Sequence, residues 1–266
     1  MTASAQDLSR GITEAAGGMT TEPALFSCAI GVMAKSPRPG YSKTRLCPPL
    51  SPDQAARLSG AFLRDTTANL AAASRFAPIF GYAAYAPLGT ESLLMPHLAG
   101  TTPLLLADGS IPTPDGIDGF GRCLFHAIQG QFAQGHAAAC VLSSDTPTLP
   151  TAHLIAAARL LSEGNQDRVV LGACDDGGYY LLGMRQLHAR LFSDIAWSTD
   201  TVADTTRRRA AELGLNVIEL PQWYDVDDAG SLIALLSDKQ GYAAPYTRRA
   251  LAELALADLL AGSSAA

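Results

Sequence analysis

The sequence predicts an α/β fold with a mostly parallel sheet. Short apolar runs of strand length alternate with segments of helical periodicity along most of the 266 residues, as in strands joined by crossover helices. Apolar residues make up 48% of the chain and charged residues 17%, so a substantial core can be buried. The length suits one large domain or two small ones, and the unbroken alternation favours one.

The elements follow from local signals. A first strand is predicted at Phe26–Ala34, before a loop with five prolines that runs to about Pro52. Ser51 and Pro52 are typical of the N-cap and first residue of a helix, here predicted over Ala55–Ala73. Further strands are predicted at Pro78–Ala84, Leu104–Ala107, Ala137–Leu142, Arg168–Gly172, Tyr179–Met184 and Asn216–Leu220. Further helices are predicted at Glu91–Leu98, Gly121–Phe132, Thr151–Leu161, Thr199–Leu213 (closed by Gly214), Asp228–Leu236 and Thr247–Ala261.

We predict a flexible leader over residues 1–22, a domain over 23–238 and a helical extension packed on it over 239–266. The leader lacks the apolar segment of a secretory signal, and no apolar run is long enough to span a membrane. The five cysteines form no C-x-x-C pair, which favours free thiols in a reducing compartment. A cytoplasmic protein is therefore expected.

The charge pattern concentrates cations in one loop. The chain has 19 basic and 25 acidic residues, a net charge of −6, which argues against a nucleic-acid-binding surface. Two of its three lysines, Lys35 and Lys43, lie in the loop after the first strand with Arg38 and Arg45. Lysine and arginine suit phosphate oxygens. The loop is therefore either a phosphate site or a solvated basic segment.

Two common phosphate-binding loops are excluded by spacing. A P-loop requires glycine directly before its lysine, whereas Tyr41 and Ser42 separate Gly40 from Lys43. A dinucleotide-binding loop requires three spaced glycines, and this loop has one.

Acidic residues follow two later strands. Asp145 comes after the strand at Ala137–Leu142, and Asp225 and Asp227 come after the last strand. In open α/β sheets, ligands bind beyond the carboxyl ends of the strands, where such carboxylates could hold Mg²⁺ beside a diphosphate. The simpler interpretation is a turn-forming aspartate at Asp145 and a helix cap within Asp225–Asp228.

The segment Asp175-Asp176-Gly177-Gly178 also has two interpretations. Paired glycines allow a backbone to pass close to a ligand, but Asp-Gly is also a common hairpin turn. Trp197 could stack on a substrate, although burial is the simpler role.

Five motifs occur in order between residues 29 and 236: MAKSPRPGYSKTRL, SSDTPTL, DDGGYYLLG, WSTDTV and YDVDDAGSL. Together they resemble the bacterial DUF2064 family, whose members are also described as selenodomain-associated or arsenosugar-biosynthesis glycosyltransferases. The resemblance implies a GT-A (nucleotide-diphospho-sugar transferase) fold, Rossmann-like with helices on both faces of the sheet.

The resemblance also implies residue roles. Lys35, Lys43 and Arg45 would face phosphates, while Asp145 and Asp227 would hold Mg²⁺ or Mn²⁺, assisted by Asp225. The family's Gly-Asp-Leu-Gly-Glu-Arg-like segment is Asp118-Gly119-Phe120-Gly121-Arg122 here, so Arg122 is retained and the acidic residues are not. Gly177 and Gly178 would lie close to the nucleotide.

The activity implied is glycosyl transfer from a nucleotide sugar to a small acceptor, with Asp176 or, less directly, Asp175 activating the acceptor hydroxyl. The basic loop also resembles the guanylyltransferases of deazaflavin cofactor synthesis. Nucleotidyl transfer from a nucleoside triphosphate to a phosphorylated acceptor is therefore the alternative. A third hypothesis is a nucleotide-sensing module without activity.

Overall fold

The computed structural model describes residues 26–254. The predicted leader lies outside them, as does the end of the predicted extension from residue 255 on. The strands are β1 (Cys28–Lys35), β2 (Ile79–Ala86), β3 (Leu104–Leu106), β4 (Ala138–Ser143), β5 (Arg168–Ala173), β6 (Tyr179–Met184) and β7 (Asn216–Glu219). The helices are α1 (Pro52–Ala73), α2 (Glu91–Leu94), α3 (Phe120–Ala133), α4 (Thr151–Glu163), α5 (Val202–Glu212), α6 (Ala229–Ser237) and α7 (Pro245–Glu253).

The seven strands form one sheet in the order β3-β2-β1-β4-β6-β5-β7. All neighbours are parallel except β6, which is antiparallel to both β4 and β5. β5 and β6 are joined by a short turn over residues 174–178, which permits only a hairpin. The predicted mostly parallel sheet is thus confirmed.

Helices cover both faces of the sheet. On one face, α1 and α4 contribute Leu63 and Leu154 to a core that includes buried residues of β1 and β4. On the other face, α3 contributes Leu124 and Ile128. The five cysteines are free, as predicted, although the Cys28 and Cys140 sulfurs lie 3.7 Å apart in this core.

Local capping follows the sequence closely. Ser51 caps α1 by accepting a hydrogen bond from the Gln54 amide, and the Gln54 side chain accepts one in return from the Ser51 amide. Gly214, after α5, adopts φ +66°, the left-handed conformation that a C′ glycine supplies without strain. No helix among residues 26–254 is both long and apolar enough to cross a membrane.

A third apolar cluster joins the loop after β1 to the last two helices. It contains Leu46 from the loop, Phe62 from α1, Val226, and residues of α6 and α7 such as Leu232 and Leu251. Burial of each such side chain contributes roughly 1.5–3 kcal/mol to the stability of the fold. The cluster therefore holds the loop after β1 and the segment around Val226 against the same helices.

Asp65 of α1 holds the first turn of α7. Its side chain is fully buried and accepts hydrogen bonds from the Tyr246 and Thr247 amides at 3.2 and 2.6 Å. Replacing Asp65 with alanine leaves these donors without that partner, so we expect the free energy of unfolding to fall by about 2 kcal/mol. Urea denaturation measures the change.

The exposed Asp53 lies in the first turn of the same helix and provides the control. Asp53→Ala should lower the free energy of unfolding by less than about 1 kcal/mol. Equal losses in the two variants would contradict the role assigned to Asp65.

Candidate active site

A cavity of about 640 Å³ lies at the carboxyl ends of β1, β2 and β4. Its walls come from the loop after β1, the start of α3, the segment after β4 and the segment before α6. This is the edge at which open α/β sheets bind ligands. The predicted residues Lys35, Lys43, Arg45, Asp145, Asp225 and Asp227 all line it.

Lys43 lies between two of the predicted acidic residues. Its ammonium nitrogen is 2.7 Å from Asp145 Oδ1 and 2.7 Å from Asp227 Oδ1, and it donates to the Val226 carbonyl at 2.7 Å. The lysine side chain is 6% exposed, whereas the two aspartate side chains are 33% and 37% exposed. The carboxylates therefore retain an open side.

The electrostatics of Lys43 are set by opposing effects. Burial is the largest single influence and lowers its pKa, but the attraction of Asp145 and Asp227 and their hydrogen bonds together raise the pKa above the ordinary value. The ammonium stays charged because two carboxylates outweigh the loss of water.

Backbone contacts hold the acidic segments together. The Val226 amide donates to the Asp145 carbonyl at 2.9 Å, which ties the end of β4 to the segment before α6. Asp228 is the N-cap of α6 and forms a reciprocal capping pair with Ser231. One of the three acids is thus a cap, as predicted, and the other two remain available to the cavity.

Asp225 is half-buried beside other acids. Burial and the negative charges of Asp227, Asp176 and Asp145 raise its pKa to about 7, although Lys43 opposes the shift. The protein therefore holds a proton on this carboxyl more tightly than an exposed aspartate would.

Asp176 belongs to the same acidic group. Ligand atoms of Cys174, Asp176 and Asp225 all lie within 4.8 Å of one another, and the Gly178 amide donates to Asp176 Oδ1 at 2.8 Å. Asp175 is exposed and makes no side-chain hydrogen bond within residues 26–254. Of the two predicted acids, Asp176 is the one that the fold brings to Asp225.

Gly177 is required by packing. It has φ +87°, and a Cβ there would lie 2.0 Å from the Asp200 carbonyl oxygen. Its own carbonyl accepts the Ala203 amide at 2.9 Å. The close approach is made to the start of α5, and the segment forms the hairpin turn between β5 and β6 that was its simpler interpretation. The ligand-binding role of Gly177 and Gly178 stays a prediction.

The predicted cations divide into two groups. Lys35 is exposed at the end of β1, and the 65% exposed Arg45 side chain lies 3.8 Å from Asp227 Oδ2. Arg122 does not line the cavity: its guanidinium donates to the Gly109 and Ile111 carbonyls and to Thr113 Oγ1. Arg122 therefore stabilises the loop before α3, and the phosphate-binding role predicted for it has no support from this geometry.

Three features of the site were absent from the sequence expectations. Phe120 lines the cavity and packs edge-to-face on Trp197 at 5.8 Å. Tyr179 also lines it, and its buried hydroxyl has no hydrogen-bond partner among the described residues. Cys174 is buried beside Asp176. Tyr179 and Cys174 flank the Asp175–Gly178 motif, and this position could have indicated them. No local signal in the sequence indicates that the Val226 carbonyl accepts a hydrogen bond from Lys43.

Comparison with protein families agrees with the motif pattern. Residues 92–199 match DUF2064, an uncharacterized protein family conserved in bacteria. The match contains Asp145 and the segment from Asp175 to Gly178, and it confirms the predicted resemblance. The comparison with curated proteins gives no match.

A solved structure shares this architecture. A candidate nucleotide-diphospho-sugar transferase from Desulfovibrio desulfuricans G20 superposes with a TM-score of 0.70 at 24% identity, covering 85% of this chain and 95% of that one. This likeness confirms the predicted GT-A fold class. The CMP:2-keto-3-deoxy-manno-octonic acid synthetase complexed with CTP gives 0.49 at 10% identity, covering 79% and 96%. A cytidylyltransferase from Leptospira borgpetersenii gives 0.47 at 10% identity, covering 86% and 94%.

Proposed function

We propose that this chain is a metal-dependent glycosyltransferase that uses a nucleotide-diphospho-sugar and a small-molecule acceptor. The observation that carries the proposal is the pairing of Asp145 and Asp227 across Lys43 at the mouth of the cavity. Two carboxylates from distant strands meet where an open α/β sheet binds its ligand. The protein from Desulfovibrio desulfuricans G20 that shares this fold is described as a candidate nucleotide-diphospho-sugar transferase, which supports the same class of reaction.

The donor set fits a divalent ion. Asp145 and Asp227 offer carboxylate oxygens on an open side, with Asp225 close by, and oxygen is what Mg²⁺ and Mn²⁺ prefer. These three acids and Lys43 sum to two negative charges when ionised, which Lys35 and Arg45 on the cavity wall balance but do not exceed, so the lining offers a diphosphate no excess of positive charge. A bound ion would supply that charge and stabilise the departing diphosphate.

The chain's own groups complete the mechanism. Lys35 and Arg45 lie on the cavity wall and can pair with diphosphate oxygens. Asp176, oriented by the Gly178 amide, would accept the proton of the acceptor hydroxyl as that oxygen attacks the sugar carbon. The bond from that carbon to the diphosphate oxygen breaks as the new glycosidic bond forms.

Nucleotidyl transfer is the second candidate because four cations lie in the loop after β1. The geometry favours it less, since the ammonium of Lys43 is paired with two carboxylates and would reach a triphosphate only after leaving them. A triphosphate would then find fewer free cations than the sequence indicates.

Thermal denaturation with Mn²⁺ and a panel of nucleoside triphosphates, diphosphates and nucleotide sugars tests the proposal. Ligands that bind the native state raise the midpoint by mass action. We expect the largest metal-dependent rise with one nucleotide sugar, followed by release of its nucleoside diphosphate when an acceptor is supplied. Asp227→Asn should weaken the metal-dependent binding of the nucleotide sugar and slow the release of nucleoside diphosphate, each by at least about tenfold, because one predicted metal ligand is weakened.

The exposed Asp115 provides the matched control, since Asp115→Asn also removes one negative charge. A midpoint that rises most with a triphosphate would favour nucleotidyl transfer instead. Binding without product release for any acceptor tested would favour the sensing module.

A further inference from the structure

The Lys43 ammonium has no donor left for a ligand. Its three N–H groups match three acceptors at 2.7 Å: one oxygen each of Asp145 and Asp227, and the Val226 carbonyl. A saturated ammonium cannot also bind a diphosphate. The phosphate-binding role predicted for Lys43 therefore requires that it first leave these partners.

Lys43 also occupies the position expected for a metal. A divalent ion held by Asp145 and Asp227 would compete with the lysine nitrogen for the carboxylates that this nitrogen already contacts. Mg²⁺ binds oxygen at about 2.0–2.1 Å, so the ion and the ammonium cannot be accommodated together at the same carboxylate oxygens. Occupancy by one excludes the other.

The charge balance favours replacement of Lys43 only by a cation of higher charge. Withdrawing Lys43 alone would leave Asp145, Asp225 and Asp227 close together, with the exposed Arg45 side chain, 3.8 Å from Asp227 Oδ2, as their remaining ion-pair partner among the described residues. Replacing one positive charge by two improves that balance, and the freed ammonium then adds to the positive charge available to a diphosphate.

The backbone at Lys43 is consistent with a residue held by its side-chain contacts. It has φ 51° and ψ 42°, a left-handed conformation that is unfavourable for a non-glycine residue. The side chain also lies over the Phe62 ring, with the nitrogen 5.5 Å from its centroid. These contacts stabilise an arrangement that the local sequence does not favour by itself.

We propose that Lys43 is an exchangeable internal cation. It closes the Asp145–Asp227 pair in the ligand-free protein and leaves the pair when a divalent ion and a nucleotide diphosphate bind together. The inference rests on the proposed function, because it takes this pair as the metal site. It implies that the lysine suppresses metal binding until a nucleotide is present.

Mn²⁺ binding, followed by the loss of the free-ion electron paramagnetic resonance signal, tests the inference without any substrate. Lys43→Met should bind Mn²⁺ about 10- to 100-fold more tightly than the unaltered protein. Lys239, the third lysine, is exposed and follows α6 in the sequence. Lys239→Met should bind Mn²⁺ with the affinity of the unaltered protein. Equal affinity in the two variants would overturn the exchange.

A second measurement uses the unaltered protein and does not depend on a variant folding. The chain has three lysines, so a ¹⁵N side-chain spectrum contains few ammonium signals. We expect a protected Lys43 signal that shifts or broadens when Mg²⁺ and a nucleoside diphosphate are added together. A signal that stays unchanged while the nucleotide and Mg²⁺ bind would overturn the exchange.

The outcomes separate this inference from the proposed function. If Mn²⁺ binds equally well with and without Lys43, the exchange is wrong and metal dependence stands. If Mn²⁺ binds neither protein, with or without nucleotide, both the exchange and the proposed metal dependence are wrong.

Discussion

Replacing Gly177 with alanine should lower the free energy of unfolding by at least about 3 kcal/mol. The residue has φ +87°, and the added Cβ would lie 2.0 Å from the Asp200 carbonyl oxygen. Backbone atoms on both sides must move, which breaks the hydrogen bond from the Ala203 amide. Guanidinium denaturation monitored by circular dichroism measures the loss.

The neighbouring glycine provides the control. Gly178 has no positive φ, and a Cβ there would meet only the Asp176 carboxylate at 3.0 Å, a side chain that can rotate. Gly178→Ala should lower the free energy of unfolding by less than about 1 kcal/mol. A similar loss of unfolding free energy in both variants would contradict the role given to the contact between residue 177 and Asp200.

Replacing Asp225 with asparagine should stabilise the protein at alkaline pH in the absence of divalent ions. The folded protein raises the pKa of Asp225 from 3.8 to about 7, so its stabilising proton is fully present below pH 3.8 and lost as the pH rises through 7. Asparagine has no such ionisation. Allowing for partial exposure, the gain at pH 8 is about 2–3 kcal/mol.

Differential scanning calorimetry from pH 5 to 9 in a chelator checks this. The midpoint of Asp225→Asn should exceed that of the unaltered protein by roughly 4–10 °C at pH 8, and the gap should narrow towards pH 5. Asp115→Asn, which also removes one negative charge, serves as the reference. A gap that is the same at every pH would show that Asp225 does not ionise as described.

Much of the fold is predictable because its signals are local. The Ser51 N-cap and the apolar run of β1 need only neighbouring residues, and both lie close to where the sequence predicts them. The direction of β6 is different, because apolar alternation does not record whether a strand runs parallel or antiparallel. The shortness of the turn over 174–178 and its Asp-Gly pair, for which a hairpin is one of two interpretations, indicate the reversal.

The site is less predictable because its contacts are distant in sequence. Lys43 and Asp227 are 184 positions apart, and each type of residue taken alone suggests a different ligand. Composition indicates cations for phosphate and acids for metal, and it cannot show that the two sets neutralise each other. Arg122 illustrates the same limit, since its partners Gly109 and Ile111 are backbone carbonyls that leave no trace in the sequence.

The third apolar cluster has a practical consequence for protein engineering. Leu46 lies three residues after Lys43, Val226 precedes Asp227, and both pack in the cluster that Leu251 of α7 completes. Trimming the chain at residue 244, as one would to shorten it for crystallisation, removes Leu251 and the partner of Asp65. Such a truncation would disturb the packing beneath Lys43 and Asp227 and so the geometry of the Asp145–Asp227 pair, and fusions and deletions are better made elsewhere.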